Sequence, residues 1–157
     1  MKLAEALINR ADAQKRIQQL QARLARNAIV QEGEQPAEDP LELFAELDRV
    51  IAQLTQLVKQ INRTNSAIRF DDGRTLTDAL ADRDALMTER AALNSVLNAL
   101  NSQNQFRYSR SEIKAVATVD VREIQQRIDD LSRDYRQLDA AIQQINWQAD
   151  LIETPAQ

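Results

Sequence analysis

Apolar residues recur along the last third of the chain at Val121, Ile124, Ile128, Leu131, Tyr135, Leu138, Ile142, Ile145, Ala149 and Ile152, stepping three and four residues in alternation. That period is the heptad signature of one long helix packed lengthwise against helical partners. At a rise of about 1.5 Å per residue, the stretch makes a rod of roughly 48 Å. Asp120 precedes it with Glu123 three residues later, the pattern of a capping box.

The same reading divides the remaining chain into three further helices and three connectors. The first helix is expected over about Lys2–Asn27, with Leu3, Ala6, Ala13, Ile17, Leu20 and Leu24 on one stripe and Arg10 interrupting it. A connector near 28–39 holds Gly33, Pro36 and several glutamates, after which Asp39-Pro40-Leu41-Glu42 combines a capping carboxylate, a first-turn proline and a first-turn acid. The second helix, about Pro40–Asn65, carries Phe44, Leu47, Ile51, Leu54, Val58 and Ile61 as its expected seam. Leu43, Val50 and Leu57 widen that seam into a face broad enough for more than one neighbour. A connector near 66–75 contains the turn signal Asp72-Gly73 and room for a short extended piece. Thr75 and Asp78 then open a third helix, about Leu76–Asn101, whose stripe includes Leu86, Leu93, Leu97 and Leu100 together with Arg83 and Arg90. The third connector, near 102–119, mixes β-branched and aromatic residues, which predicts one or two short strands pairing with Ile68–Phe70. The fold expected is all-α: a single domain over 1–157, an antiparallel bundle of four long helices with coiled-coil-like packing and short extended segments in the connectors.

Composition removes much of the usual chemistry. There is no cysteine and no histidine, so disulfides, thiolate nucleophiles, zinc–cysteine clusters and imidazole bases are all excluded. Only 2 glycines and 3 prolines, with 4% aromatic content, favour helix over sheet. A formal net charge of -4 opposes broad attraction to nucleic acid or anionic lipid, so neither is an expected partner. No apolar run approaches the roughly 20 residues of a spanning helix, and the segment from Met1 to Glu5 lacks a signal-peptide core. A cytoplasmic location is the expectation.

Four constellations remain. Arg10, Arg83 and Arg90 lie where the period calls for apolar groups; a guanidinium there must snorkel, pair with a carboxylate, sit in a subunit interface or meet an anion. Arg107, Tyr108, Arg110 and Lys114 form a basic connector which, joined in space by Arg69 and Arg74, would suit a small anionic ligand such as phosphate; a solvated charged loop is the commoner outcome. Asp71, Asp72, Asp78, Asp82 and Asp84 include an i, i+4 pair, but the spaced acidic pairs of helical pyrophosphatases and any di-iron histidine are missing. No metal, cofactor or catalytic residue is therefore assigned, and the chain leans away from being an enzyme. Trp147 falls opposite the seam of the last helix and needs cover, with a subunit interface the expected source.

The runs Ala28-Ile29-Val30-Gln31-Glu32-Gly33-Glu34, Asp72 to Leu80, Tyr108-Ser109-Arg110-Ser111-Glu112-Ile113-Lys114 and Asn146-Trp147 resemble a family of small bacterial helical proteins, some of which carry the label septicolysin. The resemblance implies an all-helical fold and brings no catalytic residues. An oxygen-labile cytolysin would need a redox-sensitive thiol, and this chain has none. Two function classes follow from the residues: a structural or interaction protein that self-associates into a homo-oligomer, or a phosphate- or nucleotide-binding helical domain, hydrolytic if a carboxylate pair holds a cation.

Overall fold

The computed structural model describes residues 1–105 and 116–153, the side chains of 103–105 excepted. Four helices account for most of it: α1 Leu3–Asn27, α2 Pro40–Ala67, α3 Leu76–Gln105 and α4 Val121–Gln148. Among the described residues no strand forms, and the fold is all-α. The third connector's predicted strands fall largely in 106–115, outside the described residues.

Three of the four helix starts, those of α2, α3 and α4, are built by the residues that announced them. Asp39 Oδ1 accepts from the Leu41 amide at 2.9 Å, with Pro40 at the first helical position. Thr75 and Asp78 cap reciprocally: the Asp78 amide donates to Thr75 Oγ1 at 3.2 Å, and the Thr75 amide donates to Asp78 Oδ2 at 2.8 Å. Asp120 accepts from the Arg122 amide at 2.8 Å. These side chains satisfy amides that the first helical turn cannot pair internally. In the first connector, Gly33 adopts φ +91, and the Glu34 amide closes a turn onto the Gln31 carbonyl at 3.0 Å. That φ lies in the left-handed region, where glycine carries no Cβ penalty.

The chain divides into two compact units, Met1–Arg69 with Gln144–Gln157, and Phe70–Gln143. In the first, α1 and α2 run antiparallel. Leu20, Leu24 and Leu43 form a buried cluster with Leu47 and Val50 packed against it. The partnership is flanked by Arg16 on Glu46, with Nε to Oε1 at 2.8 Å, and by Arg23 on Glu38. Asn27, 8% exposed, closes the connector by accepting from the Glu38 amide at 3.0 Å while its amide nitrogen donates to the Arg23 carbonyl at 2.9 Å.

The other end of this unit holds the first and last described residues together. The Leu3 amide donates to the Ala149 carbonyl at 3.0 Å and the Leu151 amide to the Met1 carbonyl at 2.9 Å, flanking one antiparallel bridge between Lys2 and Asp150. Lys2 Nζ donates to the Gln148 carbonyl at 2.9 Å and pairs with Asp150 at 2.8 Å, so a cation sits on the negative end of the α4 dipole. Thr64, fully buried, accepts from the Ile152 amide at 2.9 Å and donates back to the Gln60 carbonyl.

These bonds explain one departure from expectation. The apolar period continues to Ile152, yet α4 ends at Gln148, because the backbone of 149–152 bonds to Met1, Leu3 and Thr64 instead of extending the helix. Between its ends α4 is unbroken. Ile128 and Ile142 are buried, and Ile124, Leu131, Tyr135, Leu138 and Ile145 are half-buried, as a seam requires. Val121, at the helix start, is exposed.

In the second unit α3 and the Val121–Gln143 part of α4 are antiparallel, joined by Arg83 to Asp139 at 3.0 Å and by Arg127 to Glu89 at 2.6 Å. Leu76, Ala79 and Ile142 are fully buried near one end.

Candidate interaction surface

The three seam arginines meet different fates. Arg83 donates from NH1 to Asp139 at 3.0 Å and from NH2 to Asp84 at 3.3 Å. Desolvation lowers its proton affinity, but the hydrogen bonds to Asp139 and Asp84 outweigh that and hold the guanidinium firmly protonated. Arg90 lies over the Tyr135 ring at 5.7 Å, a cation–π contact across the seam. Arg10 is half-buried on α1; its Nε is buried with no hydrogen-bond partner, and it joins no ion pair among the described residues.

Of the basic constellation, Arg107, Tyr108, Arg110 and Lys114 lie outside the described residues. Arg69 is exposed. Arg74 is held by two carboxylates, Asp71 Oδ2 at 2.6 Å and Asp82 Oδ2 at 2.5 Å, and stacks on Phe70 at 5.2 Å. Its hydrogen bonds to Asp71 and Asp82 raise its proton affinity, and the same contact with Arg74, helped by the Gly73 amide, depresses the Asp71 carboxyl. The acidic constellation is thereby distributed: Asp71 and Asp82 serve Arg74, Asp84 serves Arg83 and Asp78 serves the Thr75 cap, whose hydrogen bonds lower its pKa.

A groove of about 580 Å³ runs between α1 and α2, lined by Asn9, Asp12, Arg16, Gln53 and Gln60 and reaching Leu151. Arg16 is already engaged by Glu46, and the rest of the lining is apolar side chains such as Val50, Leu57 and Leu151, amides, and the carboxylates of Asp12 and Glu153.

The apolar surface is the unexpected part. Of the predicted α2 seam, Leu47 and Leu54 are half-buried and Ile61 is 1% exposed, but Phe44, Ile51 and Val58 are 52%, 44% and 36% exposed. The residues read as a widening flank turn inward with the first three: Leu43 is 3% exposed, and Val50 and Leu57 are half-buried. Leu20 and Leu24 of α1 settle the choice by packing onto Leu43, Leu47 and Val50. The breadth of the α2 face was a sequence signal that one neighbour would leave part of it bare. Trp147 lies on the outer side of α4 at 57% exposure, as its phase relative to the seam requires.

What these parts define is a class: an all-helical protein whose described side chains serve caps, ion pairs and helix packing, with one apolar row left exposed on α2. Within that class, the chain belongs to the family of unknown function DUF6847, whose model matches residues 10–151. It is similar to a functionally unknown conserved protein from Corynebacterium diphtheriae of known crystal structure. The two share 50% identity and a TM-score of 0.89, over 96% of this chain and 98% of that one. No curated protein matches the chain. Among the described residues, no helix is long and apolar enough to cross a membrane.

Proposed function

We propose that this protein acts by association, as a structural protein that assembles into a homo-oligomer through the outer faces of its helices. The observation that supports this is the bare row Phe44, Ile51 and Val58 on α2. Scattered exposed apolar residues are ordinary on any protein surface, whereas large ones aligned at heptad spacing are a helix-pairing seam without its helix. Arg10 and Trp147 belong to the same reading: a subunit would cover the indole and meet the half-buried Arg10, which joins no ion pair among the described residues.

Anion binding at the connectors is the weaker alternative, because a phosphate at Arg74 would have to displace both Asp71 and Asp82. Lytic activity finds no support in the residues, and the cytoplasmic reading continues to rest on the sequence. Light scattering coupled to size exclusion tests the proposal. The expected result is a mass at least twice the 17.8 kDa of one chain; a monomer throughout the micromolar range would overturn it.

A further inference from the structure

Phe44, Ile51 and Val58 sit seven residues apart, so each step turns only about 20° from the last and the three stay in line over roughly 21 Å of α2. Beside them on the outward flank lie Ala45, Ala52 and Thr55, all exposed and small enough to admit another helix. The flank carries just two charges, Asp48 toward the N-terminal end and Lys59 toward the C-terminal end, and neither joins an ion pair among the described residues.

We infer that this face binds the same face of a second copy, with the two α2 helices antiparallel about a twofold axis at Ile51; the inference rests on the self-association proposed above. The row is symmetric about Ile51, so a twofold there sets Phe44 of one copy against Val58 of the other and Ile51 against itself, the self-complementarity an isologous interface demands.

Charge selects the direction. In the antiparallel arrangement Lys59 stands about 12 Å along the axis from Ile51, and Asp48 of the second copy stands about 4.5 Å out on the same side and flank. The axial offset of roughly 7–8 Å and the separation of the two helices leave about 10–11 Å between the Cα atoms, within the joint reach of a lysine and an aspartate side chain, and the twofold makes the contact twice. A parallel pair would instead carry this flank to opposite sides of the two helices, leaving Asp48 and Lys59 without each other as partners. Alignment of the two helix dipoles also favours the antiparallel arrangement.

The absence of cysteine makes the test direct. For helix axes about 8–10 Å apart and Cα atoms about 2.3 Å off each axis, the two Ile51 Cα atoms approach to about 5 Å, inside the range a disulfide spans. Ile51→Cys should therefore form a covalent dimer on mild oxidation, whereas Gln56→Cys, exposed on a different side of α2, should not. Ile51→Glu should leave helicity unchanged, since the position is solvent-facing in one chain, and raise the dissociation constant at least 100-fold. Asp48→Lys should weaken the dimer about tenfold and the double exchange Asp48→Lys with Lys59→Asp should restore it; a parallel pair would be indifferent to both. If light scattering shows an oligomer but Ile51→Cys does not cross-link, this inference falls and self-association by another face stands. If the wild-type chain is monomeric, both fall.

Discussion

Ile142 is fully buried on α4, one turn beyond the Arg83–Asp139 pair and toward the end of α3 where Leu76 and Ala79 are also fully buried. Ile142→Ala removes three carbons from that site. At about 0.8 kcal/mol for each carbon withdrawn from an apolar environment, the transfer loss is about 2.4 kcal/mol, and incomplete collapse of the cavity brings the total to roughly 3–4 kcal/mol. For a chain of this length each kcal/mol shifts the melting temperature by about 2–4 °C, so the variant should melt roughly 6–16 °C lower. Urea titration followed by circular dichroism gives the free-energy difference and checks that the slope is unchanged. Arg136→Ala, exposed on the same helix, is the control and should stay within about 0.5 kcal/mol of wild type. A loss below about 1 kcal/mol for Ile142→Ala would show that the α4 seam does not face the packed interior, and the reading of this helix would be wrong.

Two further outcomes test the polar side of the structure. Asp139→Asn should cost about 1–2 kcal/mol, because it leaves the half-buried Arg83 with Asp84 as its remaining carboxylate. Adding Arg83→Met should recover part of that loss, and an unchanged urea midpoint in the single variant would refute the pairing. The second outcome concerns acid. Glu38, Asp71, Asp78 and Asp150 are all held below the usual carboxylate range, by hydrogen bonds from Arg23, Arg74, Thr75 and Lys2 respectively. Depressed carboxyls stabilise the fold fully above the unfolded value near pH 4, and that contribution is lost as pH falls through their lower folded values. With no histidine to titrate between, the melting temperature should be level from about pH 5 to 7 and drop below about pH 4. A decline already under way between pH 7 and 5 would contradict the assignment.

How the helix limits and their partners came to be legible differs from residue to residue. Asp39, Thr75 with Asp78, and Asp120 mark their helix starts in the sequence and perform those roles in the structure, because a cap is a contact within a few residues and needs no tertiary information. The Arg83–Asp139 pair was half visible: a guanidinium on an apolar stripe announces that it needs a partner, but 56 residues of separation conceal which carboxylate supplies it. Lys2 on Gln148 and Asp150, and Thr64 on Ile152, carried no sequence signal at all, since an ordinary exposed lysine and a helical threonine look the same whether or not a distant backbone arrives beside them.

Periodicity and capping alone determined that this chain is four long helices, where three of them begin and which stripe of the last is buried, because these depend on the 3.6-residue turn and on contacts a few residues apart. Only tertiary structure decided where α4 stops and which half of α2's apolar face turns inward. Both are competitions between distant groups: the backbone of 149–152 leaves the helix for Met1, Leu3 and Thr64, and Leu20 and Leu24 take Leu43, Leu47 and Val50, leaving Phe44, Ile51 and Val58 outside.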